Sequence, residues 1–333
     1  LGTPPAAAAV TLDALGADVI GSNCGLGIDG IHDVLAAMRQ VTPRPLVAQA
    51  NAGLPVLSDG QTIFPGTPEE MIAYHERLIA LGVRVIGGCC GTTPNHIRKM
   101  RATLNHYQQN WTPPPRRGFL SSRSAVAEFG GGAPCALVGE RINPTGKKQY
   151  TEELRSGKTA YIRREANAQV AAGAVLIDVN CGAPGVDEAV ALERAVYAAS
   201  GASPAPLVID TSDPTALEKA LKAADGKVLI NSVNGEVKSL ANVLPLARRY
   251  GAAVIGLALD EDGIPDTAEG RVAVARRIHE AVLAAGLPEQ DLVIDCLTLT
   301  VSAEQKRALE TLRTLRMVRD QLGLATALGV SNI

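Results

Sequence analysis

Four times along the chain an amphipathic stretch closes on a glycine, and a short aliphatic run follows at once. The four read Leu15-Gly16-Ala17-Asp18-Val19-Ile20-Gly21, Leu81-Gly82-Val83-Arg84-Val85-Ile86-Gly87, Ala172-Gly173-Ala174-Val175-Leu176-Ile177-Asp178 and Tyr250-Gly251-Ala252-Ala253-Val254-Ile255-Gly256. A glycine there suits the left-handed residue that ends a helix, and an unbroken apolar run suits a strand buried on both faces of a parallel sheet. Repeated helix-strand units predict an α/β fold, either an eight-fold barrel or an open doubly wound sheet.

The strand ends favour the barrel. From Cys135 onward the pattern predicts strands at 137–139, 175–177, 207–209, 228–230, 254–259, 292–294 and 325–328. Almost all run into hydrogen-bonding residues: Glu140 and Asn143, Asp178 and Asn180, Asp210, Asn231 and Asn234, Asp260, Asp295, Ser331 and Asn332. Polar groups at successive carboxyl ends converge on one mouth when a sheet closes. A dinucleotide-binding sheet needs a glycine-rich loop after its first strand, and Gly139-Glu140-Arg141-Ile142-Asn143 is not one. Before residue 107 there is room for only three strands, at 19–21, 46–49 and 85–87, too few to close. The expectation is two tandem TIM-type (β/α)8 barrels, the first represented by its C-terminal strands and the second lacking its last strand. Residues 1–107 and 135–333 form the two parts, joined by a linker at 108–134 that holds Trp111-Thr112-Pro113-Pro114-Pro115 and Gly130-Gly131-Gly132. Leu1 stands where a start methionine would, with no leader-like segment after it, so the chain is expected to begin inside a longer protein.

Composition narrows the chemistry. Lys+Arg 32 against Asp+Glu 34 leaves no polybasic surface, so neither nucleic acid nor a membrane is expected as partner. The longest apolar runs, such as 252–259, fall short of the roughly 18 residues that cross a bilayer. Six cysteines, two of them adjacent, do not form the spaced framework of a secreted mini-domain, and a cytoplasmic setting is expected.

Cys24 follows the first predicted strand, and the pair Cys89-Cys90 follows the third. Three thiolates from strand ends on one face can hold zinc with its fourth position open, where an entering thiol loses its proton. Buried structural cysteines or a redox pair are the alternatives. The segments Gly21-Ser22-Asn23-Cys24-Gly25 and Gly87-Gly88-Cys89-Cys90-Gly91, with Gln49-Ala50-Asn51-Ala52-Gly53 between them, resemble the homocysteine methyltransferase family. The resemblance implies Zn2+ on Cys24, Cys89 and Cys90, and covers about the last third of that family's barrel. His75, His96 and His279 are read as solvated residues on helix surfaces rather than ligands.

The ordered set Gly139-Glu140-Arg141-Ile142-Asn143, Ile177-Asp178-Val179-Asn180, Ile209-Asp210-Thr211-Ser212, Ile230-Asn231-Ser232-Val233-Asn234, Ile294-Asp295 and Val330-Ser331-Asn332 resembles the pterin-binding methyltransferases, relatives of dihydropteroate synthase. Carboxylates and amides on rigid strand ends suit the paired donors and acceptors of a pterin edge. The resemblance implies that Asp210, Asn231 and Asp295 hold the ring, with Glu140 and Asn180 beside them. Asn143, Asp178 and Asn332 fall to the catalytic end, Asn332 nearest the methyl-bearing nitrogen. Asp213 before Pro214 is read instead as a helix cap. One departure stands out: Asp295 is followed by Cys296, where many relatives have proline.

Either half alone also fits other enzymes, a dihydropteroate-synthase-like enzyme of folate biosynthesis among them, and the alternative to an enzyme is a non-catalytic, truncated pterin- or zinc-binding fragment. Their tandem order resembles the cobalamin-dependent methionine synthase family. That resemblance implies 5-methyltetrahydrofolate as methyl donor, homocysteine as acceptor, and a cobalamin-binding domain, in cis or in trans, as the shuttle between them. The Asp-x-His-x-x-Gly signature of that domain does not occur in this sequence.

Overall fold

The computed structural model describes residues 2–104, 111–298 and 305–330. Asn332 and the neighbouring Ser331 lie outside the described residues. Contacts divide the chain into two compact units, essentially Thr3–Arg116 and Arg117–Ile333.

The first unit runs α1 (Pro5–Ala14), β1 (Ile20–Asn23), α2 (Ile28–Arg39), β2 (Leu46–Ala50), a hairpin of β3 (Val56–Ser58) and β4 (Gln61–Ile63), α3 (Pro68–Ile72), α4 (His75–Ala80), β5 (Val83–Gly88) and α5 (Pro94–Leu104). Strands β1, β2 and β5 form one parallel sheet in that order, the three strands expected. Ile31, Leu35 and Met38 of α2 share a buried cluster with Leu46, Ala48 and Val83 of the sheet. The hairpin was not anticipated. Asp59 and Gly60 both take left-handed φ, +51° and +77°, the conformation that reverses a two-residue hairpin. At the far end Asp13, nearly buried, accepts from Arg44 Nε at 2.7 Å, Thr42 Oγ1 at 2.9 Å and both terminal nitrogens of Arg116 at 3.1 Å. Burial opposes its ionisation, but the two guanidiniums and Thr42 hold its carboxyl below the usual range.

The second unit opens with an antiparallel hairpin, β6 (Gly118–Ser121) and β7 (Val126–Phe129), inside the segment expected as linker. There follow β8 (Val138–Ile142), α6 (Lys148–Arg155), α7 (Ala160–Ala171), β9 (Leu176–Asn180), α8 (Glu188–Ala202), β10 (Leu207–Asp210), α9 (Pro214–Ala223) and β11 (Leu229–Asn234). The chain continues through α10 (Val237–Tyr250), β12 (Ala253–Leu257), α11 (Ala268–Ala284), β13 (Leu292–Asp295), α12 (Gln305–Met317) and β14 (Ala325–Ala327). Strands β8 to β14 pair in sequence order and all in parallel, the seven strands of a partial TIM barrel.

Two apolar layers show which way each strand faces. Ile177, Ile209, Ile230, Val254 and Ile294 pack with the helices, as in a barrel's outer layer. Their neighbours Leu176, Val208, Leu229, Ala253 and Val293 form a separate inner cluster with Leu120 of β6. The hairpin thus lies against the amino ends of the strands and closes that end of the inner core. It is pinned there by Ser121 N–H to Lys227 O and Lys227 N–H to Ser121 Oγ, both 3.0 Å, and Lys227 in turn forms a buried pair with Asp291 at 2.6 Å. Losing Asp291 would leave the Lys227 ammonium buried without its carboxylate, at a cost of about 3–5 kcal/mol.

Gly16, Gly82, Gly173 and Gly251 all carry φ between +67° and +100°, as the helix-ending pattern required. Asp213 caps α9, accepting from Thr215 N–H at 2.7 Å, with Pro214 at the first helical position. The histidines differ from expectation. His75 is 0% exposed and His96 6%, and the His279 side chain is 15% exposed. His96 is held by Thr93 and by Gly66 O at 3.1 Å, whereas neither ring nitrogen of His75 has a partner among the described residues.

Candidate functional site

Cys24 lies one residue beyond β1, and Cys89 and Cys90 directly follow β5. Their sulfurs converge: Cys24 to Cys90 is 3.6 Å, Cys89 to Cys90 is 4.0 Å, and all three lie within 4.8 Å of one another. A tetrahedral zinc with Zn–S bonds of about 2.3 Å sets its sulfurs about 3.8 Å apart, so the trio fits that ion. All six cysteines are free thiols.

Backbone geometry explains the neighbours of these cysteines. Cys24 itself has φ +59°, and it is held by its own N–H to Gln49 O at 3.0 Å. A side chain on Gly88 would lie 2.1 Å from Thr92 Oγ1, and one on Gly91, at φ +78°, would lie 2.2 Å from Phe64. Only hydrogen fits on either side of the pair. Cys89 N–H donates to Ala50 O at 2.7 Å, and Cys90 N–H to the Asn51 side-chain oxygen at 3.1 Å. Asn51 is buried and braces the turn from β2, a role not read from the sequence. Without a metal the thiols compete for charge. The Gly25 N–H, then Cys90 and Cys89, lower the Cys24 thiol, while its two sulfur neighbours push Cys90 up to about 11.

The second cluster arises from strand register. Asn180, Asp210 and Asn231 are direct partners across β9, β10 and β11. Alternation puts Asp178 and Asn180 on the face of Leu176, Asp210 on that of Val208, Asn231 on that of Leu229 and Asp295 on that of Val293, toward the carboxyl ends of the inner layer. Asn180 Nδ2 donates to Asp210 Oδ2 at 2.8 Å, and Asn231 Nδ2 to Asp178 Oδ2 at 3.1 Å. Asn180 is steadied in turn, its Oδ1 accepting from Gly182 N–H at 2.9 Å and its carbonyl from Tyr150 Oη at 3.1 Å.

The carboxyls crowd one another. Burial raises Asp178 well above the ordinary carboxyl value, and the charges of Asp210 and Glu140 add to it against the Asn231 amide. Asp210 is raised by burial too, with Asn180 opposing and Glu140 and Glu188 reinforcing. Glu188, at the start of α8, also accepts from Thr211 Oγ1, and the sequence reading had not singled it out. Asp295 is raised by burial and eased by the Leu297 N–H at 2.8 Å. It stands two strands from Asn231, with β12 between. Glu140 is exposed on β8, and Asn143 accepts from Thr145 N–H within its own loop.

Comparison with known proteins matches each unit. The homocysteine S-methyltransferase family matches residues 1–104. Methionine synthase of Mycobacterium tuberculosis is 30% identical over 345 aligned positions, and that of Mycobacterium leprae is 30% identical over 350. Both alignments cover all of this chain, which spans 29% of each relative's length. Dihydropteroate synthase from Xanthomonas albilineans, in complex with 7,8-dihydropteroate, aligns at a TM-score of 0.47 and 19% identity, over 64% of this chain and 76% of that one. No helix among the described residues is long and apolar enough to cross a membrane. The pterin binding enzyme family matches residues 139–333, more than half of the chain, and the chain belongs to that family.

Proposed function

We propose that the chain serves methyl transfer from 5-methyltetrahydrofolate, bound in the second unit, to homocysteine, bound in the first, giving methionine and tetrahydrofolate. The observation that carries the reading is the presence in one chain of a sulfur trio at zinc spacing and a row of acids and amides on an inner barrel face. The relatives are longer, and the methyl carrier is proposed to be a corrinoid on a further domain, in cis or in trans. The free state of all six cysteines suits a reducing, cytoplasmic setting.

In the first unit Cys24, Cys89 and Cys90 would hold the zinc, and Asn51 would keep the Cys90 turn in place. Zinc bound there supplies the positive charge beside which a substrate thiol gives up its proton at neutral pH.

In the second unit Asp210, Asn231 and Asp295 grip the pterin edge, with Glu140 and Asn180 fixing their charge and orientation. A tertiary amine is a poor leaving group, so the methyl-bearing nitrogen must gain a proton or a stronger hydrogen bond as its bond to the methyl breaks. An asparagine cannot supply that proton, so Asn143 and Asn332 orient the ring and ordered water. Asp178, whose carboxyl is raised well above the ordinary value by burial and by the nearby Asp210 and Glu140, is the group proposed to hold that proton.

The test is binding and half-reaction on the 333-residue chain. It should retain about one zinc per chain, bind 5-methyltetrahydrofolate saturably in calorimetry, and demethylate it when reduced cobalamin is supplied. A chain that takes up neither zinc nor methyltetrahydrofolate would end this reading.

A further inference from the structure

Arg271, on α11, is 0% exposed, yet its guanidinium bonds no carboxylate among the described residues. It is spent on three backbone carbonyls and one hydroxyl instead. Nη1 donates to Cys296 O at 2.9 Å, to Leu297 O at 3.0 Å and to Thr311 Oγ1 at 3.0 Å, and Nε donates to Pro265 O at 3.0 Å. Nη2 has no partner among the described residues. Removing a guanidinium from water is costly, so a buried one holding two successive carbonyls marks a turn whose shape matters.

That turn leads straight back to the ligand cradle. Leu297 has φ +57°, a conformation a leucine rarely adopts and holds only when its surroundings enforce it. Its carbonyl is fixed from two sides, by Arg271 Nη1 and by Thr311 Oγ1, each at 3.0 Å. Its N–H, aimed by the same conformation, donates to Asp295 Oδ1 at 2.8 Å. Cys296, whose presence after Asp295 the sequence left unexplained, fits here as well. Its N–H reaches Ala327 O at 3.4 Å, a bond between the ends of β13 and β14 that a proline would lack, and its side chain is buried in the outer core. Without a proline ring to stiffen the turn, the restraint falls on the bonds from α11 and α12.

We propose that Arg271 is a positioning residue for the pterin site: by clamping the turn at Cys296 and Leu297 it orients the Asp295 carboxylate on the inner face of the barrel. The effect runs through four groups in series, guanidinium, Leu297 carbonyl, Leu297 N–H and Asp295 carboxylate. Arg271 itself touches no ligand. The inference rests on the reading of Asp295 as a ligand-binding group, and the test separates the two.

Calorimetry with 5-methyltetrahydrofolate on the full chain should show R271Q weakening binding by about tenfold to thirtyfold with zinc content unchanged. R271K, which keeps a cation and reaches one carbonyl, should fall between. In a D295N background R271Q should cost little more, because the carboxylate it positions is already gone. Adding L297G, which adopts positive φ freely, should restore much of the R271Q loss. Equal losses from R271Q with and without D295N, or no loss at all, would overturn the proposal. If the unaltered chain fails to bind methyltetrahydrofolate, the pterin reading fails, and carboxyl NMR titration of Asp295 still decides this one. R271K and R271Q should then move its ionisation upward as the Leu297 N–H is lost, and an unmoved titration in folded variants would overturn the clamp.

Discussion

The two sites are held in opposite ways. The cysteines stand on turns after β1 and β5, half-buried or exposed, and backbone groups set their positions: Cys89 N–H on Ala50 O, Cys90 N–H on Asn51, and left-handed φ at Cys24. The Gly25 N–H, the neighbouring thiols and Asn51 lower the Cys24 thiol, and three sulfurs so close together suit a metal ion. In the second unit the polar groups lie on the strands, and side chain meets side chain before any ligand arrives, Asn180 with Asp210 and Asn231 with Asp178. Those bonds fix the row in advance, which on the proposed reading lowers the ordering cost of taking up a flat polar heterocycle. On the proposed reading a bound metal would complete the first site, whereas side chains of the second already bond one another.

The sharpest way to break this contrast is to remove one sulfur. C90S should drop zinc from about one per chain to near zero in metal analysis, since two thiolates and water hold the ion far more weakly than three thiolates. Methyltetrahydrofolate affinity should stay within twofold. Coupled loss of both would show that the sites are not independent. Next in size, N231A removes the amide that bonds Asp178 and leaves a buried carboxyl unpartnered. It should cost about 2 kcal/mol of folate affinity, roughly thirtyfold, in calorimetry, with zinc content unchanged.

Much of this was readable in the residues, and the exceptions share a cause. Gly16, Gly82, Gly173 and Gly251 announced left-handed helix ends because a positive φ is a local demand that one residue type answers. The cap at Asp213 is local in the same sense. The β3–β4 hairpin escaped because its three-residue strands are exposed throughout, so no alternation marks them, and only Asp59-Gly60 signalled the reversal. The β6–β7 hairpin was hidden in a segment read through its prolines and glycines, while its role is tertiary: Leu120 closes the inner layer. Asn51 and Arg271 were passed over because the bonds that brace each turn run to backbone groups far along the chain, Cys90 N–H 39 residues from Asn51 and the Cys296 and Leu297 carbonyls 25 and 26 residues from Arg271. The burial of His75 and His96 is likewise decided by what packs over short helices.

Preorganisation in the second unit has a cost that a substitution can expose. Asp178 is 2% exposed, and its folded-state pKa is raised by burial, then by Asp210 and Glu140. The sign follows: the unfolded chain loses this proton near 3.8, so native stability declines as pH rises from there through the folded value. D178N, which keeps the size and can still accept from Asn231, should stabilise the second unit at pH 7 by about 1 kcal/mol in urea unfolding, while slowing demethylation of the folate. Lower stability together with unchanged demethylation would contradict a proton held at Asp178.

The smallest effect tests whether the first unit carries an acid sensitivity of its own, apart from its metal. His75 on α4 is fully buried, with no partner at either ring nitrogen among the described residues, and burial lowers its pKa. Below the ordinary imidazole value of 6.5 the unfolded chain takes up a proton that the folded one refuses. The stability this neutral ring contributes is therefore full above 6.5 and is lost as pH falls toward the folded value. The slope has an upper limit of about 1.4 kcal/mol per pH unit. Zinc release in acid would mimic the trend, because protons compete for thiolates, so the measurement belongs on chelator-treated protein. There the melting temperature of the first unit should fall between pH 7.5 and 5.5, and H75L should flatten that fall without lowering stability at pH 7.5. Equal slopes in the two proteins would place the acid sensitivity in groups other than His75.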